Sequence, residues 1–171
     1  MKKILAIVLS ALMLLSLAAC GGGESGQNED AAPTTVGGKL LAAFRENSTS
    51  SVQEIADTLL QNEVIQFSGA VMPVEEGFLL GFDETEISGF EEGVMFAPMI
   101  GTIPFVGYIF DLADGADVEA FKTTLKDNAN LRWNICTEAE ELIVENEGNT
   151  VFFLMCPQSF EQPEDAEGMA E

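Results

Sequence analysis

The chain contains no histidine, which removes the commonest metal ligand and the commonest general base near neutral pH. Positive charge is scarce too: seven Lys and Arg stand against 29 Asp and Glu, a formal net charge of −22. Nucleic-acid binding needs clustered cations to meet phosphate, so no nucleic-acid partner is expected. The same acidity disfavours direct docking on an anionic leaflet. Its plainest account is the solubility of an exported surface. Tryptophan and tyrosine occur once each, as Trp133 and Tyr108, and both read as core or core rim. With three cysteines and no histidine, a dedicated metal or cofactor site is not expected, and none is implied.

What the chain does have begins with MKKILAIVLSALMLLSLAAC. Lys2 and Lys3 form a positive start, residues 4–18 are uncharged and mostly apolar, and Leu17-Ala18-Ala19 places small residues before Cys20. The apolar run is too short for a spanning helix and ends in a processing signature, so residues 1–19 read as a signal peptide. Leu-Ala-Ala-Cys resembles the lipobox of bacterial lipoproteins. That resemblance implies a diacylglyceryl group on the Cys20 sulfur, cleavage before it, and acylation that anchors the chain to the cell membrane on its extracytoplasmic face. Two acyl chains hold a protein stably where one binds only reversibly. The alternative is an ordinary signal peptide with an incidental cysteine.

Residues 20–35 continue as the lipidated cysteine and a tether rich in Gly, Ser and acid. Such a segment has an r.m.s. reach of about 20–24 Å, which would keep the folded part near membrane proteins. Residues 36–157 are the expected domain, and 158–171 (QSFEQPEDAEGMAE) an acidic, disordered tail. Within the domain, Leu40, Leu41 and Phe44 predict a short helix over residues 39–46. Ser51 and Glu54 form a capping-box pattern ahead of a second, whose apolar face is Val52, Ile55, Ala56, Leu59 and Leu60. Val64–Met72 reads as a strand ended by Pro73, and residues 77–82 as a second apolar segment. Seven carboxylates between Glu75 and Glu92 admit a calcium site in principle. They lack the alternation of ligands around a glycine turn, and read as solvated loops.

Val94–Phe110 is a run of seventeen uncharged residues. Pro98, Gly101, Pro104 and Gly107 argue against a membrane helix and for two strands turning near residues 100–104. Apolar residues on both strand faces imply strands covered on both sides. The alternative is an exposed surface of Met95, Phe96, Met99 and Phe105 that grips a partner. Asp111, Asp114, Asp117 and Glu119 depart from calcium-loop spacing. Asp114-Gly115 reads as a turn, and Asp117 as the cap of a helix whose apolar positions are Val118, Phe121, Leu125 and Ala129. Residues 141–145 and 150–156 read as a hairpin about residues 146–149, with Glu140 opposite Cys156. Cys136 and Cys156, twenty residues apart, either form a disulfide worth roughly 3 kcal/mol or remain small apolar thiols.

The run from Gly93 to Cys156, together with the lipobox and the acidic tether, resembles small lipoproteins of clostridia-type Gram-positive bacteria. That resemblance implies location and a compact α+β domain, and carries no activity onto particular residues. The element order itself predicts a single α+β domain with a mainly antiparallel sheet and helices packed on one face. The expected function is a membrane-anchored, non-enzymatic binding or accessory module, with an envelope protein as candidate partner. The alternatives are a single-lobe binder of a small ligand or calcium and, failing that, an envelope hydrolase. Catalytic residues are not assigned, since none of Lys39, Lys122 and Lys126 has a context suggesting a Ser–Lys pair.

Overall fold

The computed structural model of the chain describes residues 33–100 and 102–160. The expected signal peptide, Cys20, the tether through residue 32 and the tail from residue 161 lie outside them. Among the described residues no helix is long and apolar enough to cross a membrane.

Two helices come first. In α1 (Val36–Asn47) the Thr35 hydroxyl caps the first turn by accepting the Gly38 N–H at 3.1 Å. The helix starts three residues before its expected position, because Gly37 and Gly38 carry no apolar signal. Glycine is needed at 37: a Cβ there would press on the Ile143 and Glu141 side chains. In α2 (Val52–Leu60) the capping box forms as expected. Ser51 Oγ accepts from the Glu54 N–H and Glu54 Oε2 from the Ser51 N–H, satisfying two end groups that the helix cannot pair internally. Val52, Ile55, Ala56 and Leu59 are buried.

The strands are β1 (Gly69–Pro73), β2 (Gly77–Phe78), β3 (Glu86–Ile87), β4 (Glu92–Pro98), β5 (Val106–Asp111), β6 (Glu141–Glu147) and β7 (Thr150–Cys156). Helix α3 (Val118–Asn128) lies between β5 and β6. Five strands form an antiparallel sheet in the order β1-β4-β5-β7-β6, and β2 pairs with β3 in a separate ribbon. Asp117 caps α3, its Oδ1 accepting the Ala120 N–H at 3.0 Å.

The α+β class and the antiparallel sheet are as the sequence predicts, but the helices divide between the two faces. Helices α1 and α2 set Leu40, Phe44, Ile55 and Leu59 on Phe96, Ile109, Phe152 and Leu154. On the other face, α3 sets Phe121 and Leu125 beside Tyr108, Phe110, Phe153 and Met155, with Phe82, Ile87 and Ala139 completing the layer. Alternation along β5 and β7 is the cause. With apolar side chains pointing both ways, a cover on one face would leave half of them in water. At the centre, Gly107 pairs with Phe96 across β4–β5, and a Cβ at 107 would fall inside the Phe96 ring.

Three local expectations change. Residues 64–67 are not in a strand: the Asn62 side chain accepts the Val64 N–H at 3.0 Å, and Val64, Ile65 and Phe67 pack singly from a loop. Of residues 77–82 only Gly77–Phe78 pair as a strand; Gly81 adopts φ 93° and Phe82 bridges to Ala129 instead. The expected tail also begins late, since Phe160 packs edge-on against Phe67 at 5.6 Å and the Gln158 carbonyl accepts the Val36 N–H.

The register sorts the loops. Gly69, Pro98, Val106, Cys156 and Glu141 gather at one end of the sheet; Pro73, Glu92, Asp111, Thr150 and Glu147 gather at the other. Helix α1 starts at the first of these ends, where the Gly37 N–H donates to Glu141 Oε2 at 3.1 Å.

Candidate functional site

Of the two alternatives for Cys136 and Cys156, the structure has the unbonded one: both are free thiols. Cys156 is fully buried in the layer under α1 and α2. Cys136 is exposed on a loop whose anchors, Leu131, Trp133 and Ala139, pack into the opposite layer. Cys156 and the anchors of the Cys136 loop thus lie in opposite layers. The pairing also runs one residue from expectation, with Glu141 rather than Glu140 across from Cys156, because Gly148 in the left-handed region (φ 59°) allows a tight turn of two residues.

Glu141 was not singled out by the sequence, yet it organises this corner. Its Oε2 accepts the Gly37 N–H at 3.1 Å and lies 3.7 Å from Cys156 Sγ. Burial, and then the nearby Glu141 carboxylate, push the Cys156 thiol well above its ordinary pKa of 9.0. Only thiolates attack or bind metal efficiently, so Cys156 is an inert packing group. A thiol reagent at neutral pH should therefore modify Cys136 within minutes and Cys156 only after denaturant is added. Equal rates for both would contradict the buried corner.

Lys122 is the second group with chemical potential, and it too is structural. It is 8% exposed, with Nζ 3.0 Å from Glu119 Oε1 and 2.8 Å from Asn146 Oδ1, tying α3 to β6. A shallow depression of about 340 Å³ lies where Lys39, Ala43 and Glu46 of α1 approach Asn62 and Glu63. It is open to solvent, unlike sites that enclose most of a small ligand. Among the described residues no three Cys, Asp or Glu side chains stand close enough to share a metal ion.

No family model, curated protein or solved structure matches the chain. The surface is therefore described by its own chemistry.

Exposed apolar side chains gather at the sheet end where α1 begins, apart from Phe78 of β2 (70%) and Met72 of β1 (45%). The Met95, Phe96, Met99 and Phe105 surface considered from sequence does not exist as such. Phe96 and Phe105 are buried under α1 and α2 and Met95 is half-buried in the opposite layer, because both faces of the sheet are covered. Met99 remains exposed (66%), and with it Ile100 (87%) in the β4–β5 loop and Ile135 (93%) in the α3–β6 loop. The Thr137 hydroxyl donates to the Thr102 carbonyl at 2.6 Å, tying these two loops together. Leu80 is half exposed nearby, next to Gly81, which packs on Met155 and Val106. Sequence carried a signal for this region. Residues 77–82, 93–110, 133–137 and 157–160 contain no charged residue in a chain of net charge −22, but only the fold shows that parts of all four meet at one end.

Proposed function

We propose that this protein is a lipoprotein anchored through Cys20 at the extracytoplasmic face of the cell membrane, where its domain serves as a binding or accessory module for an envelope partner. The observation that carries the reading is Lys2-Lys3, the uncharged run 4–18 and Leu17-Ala18-Ala19-Cys20 in register, the layout of an export signal with a lipidation box. The likeness to small clostridia-type lipoproteins belongs to the same proposal. The non-enzymatic part draws on the lack of histidine and on the positions of Cys156 and Lys122, each committed to joining two elements.

Cys20→Ser is the test. The parent chain, expressed in a bacterium with the lipoprotein pathway, is expected to partition into detergent and to carry acyl mass on an N-terminal Cys20. The variant should lose both. An unmodified Cys20, or tight membrane association of the variant, would overturn the anchor. Cross-linking on intact cells addresses the accessory role: a reproducible envelope partner captured by the lipidated form and absent with Cys20→Ser is the expected result.

A further inference from the structure

We propose that the apolar end of the domain, led by Met99, Ile100 and Ile135, lies on the lipid bilayer as a second membrane contact beside the acyl anchor. The inference rests on the lipoprotein reading of Cys20, and adds to it an orientation and a surface.

The first argument is where the chain enters the domain. Pro33 leads directly into α1, whose first turn is fixed at this end by Val36 N–H to the Gln158 carbonyl and Gly37 N–H to Glu141. Twelve residues lie between Cys20 and Pro33, so the two can never be more than about 45 Å apart. A lipidated Cys20 therefore holds this end of the domain within reach of the bilayer.

Surface chemistry is the second argument. Large apolar side chains at 66–93% exposure are costly in water, and an interfacial contact buries such groups about 5–10 Å into the headgroup boundary. Ile100 and Ile135 stand on separate loops joined by the Thr137–Thr102 hydrogen bond, so they present one joint surface. Three carboxylates at its rim are engaged, while Glu63, beside Pro33, is exposed. Glu138 pairs with Arg132 at 3.6 Å, Glu140 accepts the Gln158 N–H at 2.9 Å, and Glu141 holds α1.

Charge distribution is the third. Glu92, Asp111 and Glu147 lie at the opposite end of the sheet, with Glu91 and Asp114 in the turns there. Seven-residue β7 sets the ends about 20 Å apart, more than two screening lengths at physiological salt. The chain enters this pole at Pro33 and leaves it after Phe160, so Glu29, Asp30, Glu161 and Glu164 adjoin it in sequence and a leaflet without net charge is the one it fits. Lipid is the occupant that the anchor and the exposed apolar side chains favour.

The test uses the full lipidated chain in phosphatidylcholine vesicles, with an environment-sensitive fluorophore on Cys136. Acylation blocks Cys20 and burial protects Cys156, so Cys136 takes the label. Its emission is expected to shift to the blue and to be quenched by brominated acyl chains, and quenching by aqueous iodide should fall several-fold relative to the soluble Cys20→Ser protein. A probe at Glu92→Cys in a Cys136→Ser background should stay fully open to iodide. Ile100→Ser with Ile135→Ser changes two exposed side chains and leaves the core intact. That variant should still float with the vesicles while its Cys136 probe returns to water.

A Cys136 probe as exposed as the Glu92→Cys probe, in protein that floats and carries acyl mass, would overturn the orientation and leave the anchor standing. Shielding of Cys136 in soluble Cys20→Ser that grows with protein concentration would assign the patch to a second copy and likewise overturn it. Failure of flotation together with a missing acyl mass would instead overturn the anchor reading itself.

Discussion

Phe152→Ala is expected to lower the free energy of unfolding by about 3–5 kcal/mol, read as a fall in the urea midpoint at unchanged slope. Phe152 is fully buried on β7, the strand between β5 and β6. Its ring stacks on Phe44 of α1 at 5.1 Å and faces Phe96 of β4 at 6.5 Å. One side chain thus joins the helical layer to two strands, and its removal opens a cavity that neighbours on three elements would have to close. Against a typical total of about 5–15 kcal/mol, this change alone brings the domain near its unfolding threshold. Ile135→Ala, on the exposed loop, should stay within about 0.5 kcal/mol of the parent. A Phe152→Ala loss as small as that would mean that α1 does not seat on the sheet as described.

The second large effect is alkaline. Tyr108 is fully buried and its hydroxyl donates to the Leu80 carbonyl at 2.8 Å. Burial holds its pKa well above the ordinary 10.0, and burial with the Glu141 and Glu140 carboxylates holds Cys156 well above 9.0. Both groups remain protonated in the folded chain and ionise in the unfolded one. Above their ordinary values the unfolded state therefore binds fewer protons, and stability must fall as pH rises. The contribution is complete below about pH 9 and then declines by about 1.4 kcal/mol per pH unit. Above pH 10, where tyrosine adds its own loss, the decline is about 2.7 kcal/mol per unit. Urea unfolding between pH 8 and 11 measures it. Tyr108→Phe should flatten the curve above pH 10, and Cys156→Ala the portion from pH 9. Curves parallel to the parent in both variants would remove these groups as the cause.

The parts of the fold legible in the sequence were those written in local chemistry. Ser51 with Glu54, and Asp117 before Val118, announce helix starts because a side-chain oxygen three residues from an unpaired N–H has one strong use. The uncharged run 94–110 announces two covered strands because its prolines and glycines leave no long helix. What stayed hidden depends on partners distant in sequence. Val64–Phe67 looks like a strand, but Asn62 turns the backbone and the side chains find the core without a ladder. Apolar residues on both faces of the run 94–110 imply two covers, but which helix lies on which face is a fact of topology that no local pattern carries. For the candidate surface, the signal was the absence of charge in four separate segments. Its meaning appeared only when the register brought Ile100, Ile135 and the start of α1 to the same end.

Among the described residues the sheet also has two open margins, β1 and β6, and each is finished differently. The first ends in Pro73, which offers no N–H to a newcomer, and the second carries Glu141, Glu145 and Glu147 along its length. An unpaired margin is a template for another chain's backbone, and proline or repeated like charge is how proteins blunt it. Two copies brought margin to margin along β6 would set acidic side chains against acidic side chains. The consequence is neighbourly restraint: wherever many copies share a confined layer, they can crowd together without knitting into a continuous sheet.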